Sequence, residues 1–285
     1  ISLNIKPLLS IINKHFKPLQ KIYEWGMNPY YYLSGKNSIH PTFIQVMLSD
    51  PRYDEEDLLT VIDNLRKTGG KKFSNKTLEN GRNFYKDKPN GTWSPLNLIK
   101  GKDVLIIGAG ESATRHREVL EKFIIKFNPI VIGLNTNKSI SENLINIRAA
   151  SHPIRILSDC SSHLKLPQPL VIPKSMLPNK ILNSLKDKKL LDFGIDVQRD
   201  IFNFKDFYCT VPSALVLAYA LGVSASGSAA KIYLAGFDGF KVDDPRTSET
   251  NNIFKIFQNI SDSPPLISIT NTIYEIKSNS VYSFL

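Results

Sequence analysis

Two hydrophobic rhythms divide the chain. Up to about residue 98 the apolar positions recur every three or four residues, as on one face of a helix. Leu8, Leu9, Ile11, Ile12 and Phe16 form one such face, and Leu58, Leu59, Ile62 and Leu65 form another. Asp54, Glu55, Glu56 and Asp57 crowd the first turn of the second helix, where the helix dipole favours negative charge. Residues 86–95, KDKPNGTWSP, are dense in turn formers and read as a linker. From Gly101 onward, runs of four or five apolar residues alternate with helical stretches. That alternation predicts an α/β domain, a mostly parallel sheet with helices on both faces, over residues 99–285, preceded by a helical region over 1–98. The expected strands are Asp103–Ile107, Ile130–Leu134, Ile154–Leu157, Leu170–Pro173, Leu190–Phe193, Lys231–Ala235 and Leu266–Thr270. Thr210–Gly222 reads as a small-residue helix buried against the sheet.

The stretch KDVLIIGAGESATRHREVLEKFIIKF (102–127) carries the strongest chemical signal. An apolar strand runs into Gly108, Gly110 and Ser112, and helical periodicity starts at once. The first N–H groups of a helix lack intrahelical partners, so a strand–glycine–helix junction can receive an anion. Gly108 and Gly110 lack the Cβ atoms that would obstruct a phosphate, and the Ser112 hydroxyl can cap the helix or donate to the same oxygens. On this reading Gly110→Val abolishes ligand binding with little loss of stability. Ala113 supplies the third small residue of a dinucleotide fingerprint, but Asn135 stands where that fingerprint wants an acid. NAD is therefore disfavoured, while a nucleotide or phosphorylated sugar remains in play beside a bare tight turn.

Composition narrows the classes. The 285 residues carry 36 Lys and Arg against 26 Asp and Glu, a net charge of +10, with basic residues scattered rather than clustered. A lysine-rich solvated surface explains this, and no arginine-rich helix or aromatic–basic motif suggests nucleic acid. No apolar run reaches the ~20 residues of a membrane span. Two cysteines, Cys160 and Cys209, make neither a disulfide framework nor a zinc site, which fits a reducing, cytoplasmic setting. The sequence starts at Ile1 rather than Met, as expected of a piece of a longer chain.

Several other groups invite chemistry. Arg115 and His116 lie one turn past the glycine loop and could face a phosphate or solvent. Glu111, inside the loop, would repel a phosphate but bind a ribose. FDGFKVDDPRTSE carries Asp238, Asp243, Asp244, Arg246 and Glu249 after an expected strand end, suiting substrate contact, a Mg²⁺ site or a plain polar loop. His152, Cys160 and His163 lack paired metal-ligand spacing. Trp25 with Tyr30, Tyr31 and Tyr32 suits packing against a partner domain.

Two resemblances add to this. IIGAGESA, IGLN and ALGVSASGSAAKIYLAGFDGF resemble the Rossmann-like domain of bacterial sialyltransferases that use CMP-activated sugars, and of pterin-diphosphokinase-like proteins, over residues 101–240. That resemblance implies a CMP-type nucleotide or nucleotide-sugar ligand. Gly108, Gly110 and Ser112 would meet phosphate, Asn135 the nucleoside, and Thr210 and Asp238 the far side of the pocket. It leaves the catalytic residues open, because the lid histidine of those transferases has no match. EWGMNPYYYLSGKNSIHPTFIQVMLSD and SITNTIYEIKSNSVYSFL resemble the tail of aldolase-type proteins of the pyruvate-lyase barrel family in bacterial surface-polysaccharide loci. That resemblance implies a lyase parent whose barrel precedes this chain, with no H-x-H metal pair here. The expected roles are then a nucleotide-sugar binding or transfer module, or a non-catalytic domain supporting an aldolase barrel in cis.

Overall fold

The computed structural model describes residues 88–285, apart from 152, 178, 199, 214 and 241–244. The chain divides into two compact units, residues 1–83 and 84–285. The expected helices before residue 88, and the aromatic cluster from Trp25 to Tyr32, lie outside the described residues.

The second unit is α/β, with a Rossmann-like parallel sheet. Its strands are β1 (Asp103–Ile107), β2 (Ile130–Leu134), β3 (Ile147–Ala149), β4 (Leu170–Ile172), β5 (Leu190–Asp192), β9 (Lys231–Ala235), β10 (Leu266–Ser268) and β11 (Lys277–Ser278). They lie in the order β11-β10-β9-β1-β2-β3-β4-β5, every neighbouring pair parallel. Between β5 and β9 the chain builds a second sheet of β6 (Gly194–Val197), β7 (Asn203–Phe204) and β8 (Tyr208–Val211), ordered β6-β8-β7. The helices are α1 (Leu96–Ile99), α2 (Glu111–Arg115), α3 (Arg117–Phe127), α4 (Pro153–Lys165), α5 (Asn179–Ser184), α6 (Val216–Ser226) and α7 (Pro245–Gln258).

β1 is the centre. Leu105 sits opposite Val131 on one neighbour and Tyr233 on the other. Val104 through Ile107 are all buried, so both faces of the strand are covered. That is why it reads as a continuous apolar run rather than an alternating one. On one face Leu105, Ile107, Val131, Tyr233 and Ile267 pack with Leu120, Phe123 and Ile124 of α3. Phe123 sets its ring edge-on to Tyr233 at 5.2 Å and to Phe284 at 5.4 Å, tying the chain's last turn to this core.

Four local expectations change. Ile154–Leu157 belongs to helix α4, and the strand lies earlier, at Ile147–Ala149. A four-residue apolar run does not distinguish helix from strand by period, and Pro153 at the first helical position favours helix. The small-residue helix starts at Val216 rather than Thr210, because Tyr208–Val211 pairs with Gly194–Val197. The helix after the glycine loop is broken at His116, whose backbone (φ −102°, ψ 21°) separates α2 from α3. The end of the segment read as a linker is pinned to the domain: Thr92 and Trp93 both donate their N–H to the Asp192 carbonyl at 2.9 Å.

α6 shows how tight the packing is. Leu217 through Ser224 are all buried. Gly222 faces Cys209 of β8 so closely that a Cβ there would lie 2.5 Å from the Cys209 Sγ. Burial, with the nearby Asp196 charge adding to it, pushes the Cys209 thiol far above its usual range. Gly222→Ala should therefore destabilise by about 1–3 kcal/mol through overpacking. Cys209→Ala in the same chain should recover part of that loss. Urea unfolding of the two single variants and the double variant measures the coupling, and additive effects would contradict the contact.

Candidate functional site

The sheet changes direction between β1 and β9, the kind of switch point at which open α/β sheets place a ligand crevice. From β1 the chain proceeds outward through β2, β3, β4 and β5; after the second sheet it returns to β1's other side as β9 and proceeds to β10 and β11. The loops leaving β1 and β9 thus run to opposite sides at the carboxyl edge, where open α/β sheets collect ligands.

The two loops touch through backbone. Gly108 donates its N–H to the Ala235 carbonyl and Gly110 donates to the Gly236 carbonyl, both at 2.8 Å. Gly236 has a φ of +76°, a conformation open to glycine, and donates its N–H to the Thr270 Oγ1 at 2.9 Å. A Cβ on residue 108 would lie 2.5 Å from the Gly236 carbonyl oxygen, and one on residue 110 would lie 2.6 Å from it. The glycines therefore answer to the neighbouring loop. The expectation that Gly110→Val leaves stability intact is overturned: any Cβ at 110 meets fixed backbone.

Asp238 occupies the start of α2. Its Oδ2 accepts the Ser112 N–H at 2.8 Å, and its Oδ1 accepts the Ser112 hydroxyl. The donors that the sequence offers to an anion thus hold an internal carboxylate. α2 is only five residues long before the break at His116.

The remaining sequence-predicted residues separate into groups. Glu111 and Arg115 form an ion pair at 3.0 Å on an exposed surface, with side chains 79% and 60% accessible. Such pairs contribute little. His116 places Nδ1 3.1 Å from the Tyr282 hydroxyl. Asn135, just past β2, adopts a left-handed φ of +50° and donates its N–H to the Ala149 carbonyl at 2.9 Å. Its side-chain Oδ1 is buried and has no hydrogen-bond partner among the described residues. Thr210 belongs to the second sheet, where its hydroxyl donates to the Asp196 Oδ2 at 3.3 Å. Gly108, Gly110, Ser112 and Asp238 are brought into contact; Thr210 is not joined to them by any described bond. Asp243, Asp244, His152 and the Arg246 side chain lie outside the described residues. Glu249 accepts the Ser213 hydroxyl at 2.9 Å. No group of three or more His, Cys, Asp or Glu among the described residues is placed to hold a metal ion.

Three residues escaped the sequence reading. Asn137 donates its amide to the Gly108 carbonyl and caps its own turn by accepting the Ser139 N–H at 2.8 Å. Its side chain bridges the loop after β2 to the glycine loop. Asn-x-Ser after a strand is an Asx-turn signal, and could have flagged it. Thr270 supports Gly236, as described. Arg148, on β3, is fully buried. Its guanidinium donates to the Asn137 carbonyl at 2.7 Å, the Asn135 carbonyl at 3.2 Å, the Gln168 Oε1 at 2.8 Å and the Glu142 Oε2 at 2.7 Å. Nothing in a single sequence marks an arginine as buried.

No family model matches the chain. No curated protein matches it either. Among solved structures it is similar to the MAf glycosyltransferase from Magnetospirillum magneticum AMB-1, with a TM-score of 0.49 and 11% identity, over 99% of this chain and 51% of that one. The chain thus spans about half the length of that protein. A likeness this distant carries no inference about activity. The comparisons give no support to an aldolase parent, and the longer of the two aldolase-like segments, EWGMNPYYYLSGKNSIHPTFIQVMLSD, lies outside the described residues.

Two outcomes follow from this geometry. Arg148→Met removes a buried cation and strands two backbone carbonyls and a carboxylate, so unfolding free energy should fall by roughly 3 kcal/mol or more. Gly110→Ala should cost about 1–3 kcal/mol. Equilibrium denaturation reads both, and wild-type stability in either variant would refute the corresponding contact.

Proposed function

We propose that this α/β unit is a nucleotide or nucleotide-sugar binding module of surface-glycan synthesis, with its ligand in a crevice at the carboxyl edge of the sheet, over the point where the loops after β1 and β9 meet. The observation that carries the reading is the reversal of strand order at that point, with two glycine-containing loops meeting across it. The buried Asn135 Oδ1 at the end of the adjacent strand, without a hydrogen-bond partner among the described residues, gives further support, since such an acceptor calls for a donor.

Chemistry refines how the ligand lies. With Asp238 on the Ser112 donors, a phosphate entering there meets a carboxylate and is repelled. A ribose or sugar hydroxyl instead finds an acceptor held in place by a backbone N–H. The ligand is therefore oriented with hydroxyls toward Asp238 and with its phosphates away from the Ser112 donors. Asn135 accepts from an amino group of the base. Glycosyl transfer is the reaction class that such a ligand serves.

Thermal denaturation with CMP, UDP, GDP, ATP, CMP-sialic acid and NAD tests this. A ligand at 100 times its Kd adds about 2.7 kcal/mol, so a preferred nucleotide should stand out. Asp238→Ala should abolish that increment, while a distant exposed change such as Lys126→Ala should preserve it. A chain that no member of the panel stabilises would overturn the proposal.

A further inference from the structure

One turn of helix beyond Ser112, a pocket of about 260 Å³ opens at the carboxyl edge of β10. It is built almost wholly from residues 269–282, a stretch outside the region that carries the nucleotide-domain resemblance. Ile269, Thr270 and Val281, all buried, make its floor. Asn271, Ser278, Asn279, Ser280 and Tyr282 are exposed around the rim. His116 closes one side, its ring edge-on to Tyr282 at 5.6 Å and 87°.

Three features of this lining point the same way. The first is charge: no Asp, Glu, Lys or Arg lines the pocket, although the chain as a whole carries a net charge of +10. A site for a phosphate or carboxylate would be expected to draw on that cationic excess. The second is the density of neutral donors and acceptors. The Asn271 and Asn279 side chains bring amides to the lining, and hydroxyls stand between them. The third is shape. An apolar floor and an aromatic wall under a ring of amides match a molecule with apolar faces and a polar perimeter. The volume is below the roughly 300–1,000 Å³ of drug-sized sites, which suits one saturated ring and not a nucleotide.

We infer that this pocket binds one uncharged sugar ring, its C–H face toward Tyr282 and its hydroxyls on the Asn271 and Asn279 amides. Thr270 links the pocket to the crevice, since its Oγ1 accepts the Gly236 N–H while the residue lines the pocket floor. The site goes beyond the nucleotide reading and does not need it: a sugar can bind here whether or not a nucleotide occupies the crevice.

Saturation-transfer NMR on the chain, with methyl hexosides, N-acetylhexosamine, sialic acid and inorganic phosphate as separate probes, tests the assignment. At least one neutral sugar should receive saturation from the protein. Asn271→Leu and Tyr282→Ala, both at exposed positions, should each weaken its binding at least about tenfold. Lys186→Ala, an exposed change outside both sites, should leave it unchanged, and CMP should not displace the sugar, which separates this site from the crevice. The inference is overturned if no neutral sugar binds, if sialic acid or phosphate alone binds, or if binding survives both pocket variants. A nucleotide that fails to bind in the crevice bears on the other proposal and leaves this result standing.

Discussion

The close approach of two backbones sets the terms for the rest of the site. The Gly236 carbonyl takes the Gly110 N–H and stands where any Cβ at 108 or 110 would go. Parallel pairing of β1 with β9 brings both loops to the same edge in register, Ile107 opposite Ala235. Once the loops are there, side chains are excluded from their meeting line. Asp238 is then positioned over the first turn of α2 by chain geometry, and its carboxylate finds the Ser112 donors. A feature that looks like clearance for a ligand is also a packing requirement of the fold.

The loop after β2 is held by different means. Asn135 and Asn137 turn their carbonyls inward, toward the Arg148 guanidinium. Glu142 and Gln168 bind the other edges of the same group. A planar fork of donors can satisfy four acceptors from three chain segments at once, which an ammonium cannot do with the same fixed directions. Asn137 then reaches from this anchored loop to the Gly108 carbonyl. The two loops on either side of β1's carboxyl end are therefore fixed from both flanks, one by backbone contact and one by a buried cation.

The sequence made the sheet legible where strands are apolar on both faces. Val104–Ile107 and Ile130–Leu134 are read correctly because double-sided burial leaves no polar interruption. β3 was hidden because its middle residue is Arg148, which sequence reasoning places in solvent. β8 was hidden because TVPSALVLAYALG is small and apolar throughout, so period could not separate strand from helix. At the site, the contact of Gly108, Gly110, Ser112 and Asp238 joins residues more than 120 positions apart. Each could be named from the sequence, but not the fact that one occupies the donors of another. The sugar-sized pocket carried no chemical motif: its residues lie within SITNTIYEIKSNSVYSFL, which reads only as a family-like tail, and exposed Asn, Ser and Thr look like any loop.

The pairing of Asp103 with Lys231 has a consequence for how the chain is made. The central strand emerges about 130 residues before the partner that covers one of its edges. At ~5–20 residues per second, synthesis leaves that edge bare for roughly 6–26 seconds. During this interval β1 through β5 can pair, while an apolar strand border stays open to other nascent chains. The strand order that reverses at β1 also commits the newborn polypeptide to a vulnerable wait, the kind of interval in which a chaperone on the ribosome earns its place.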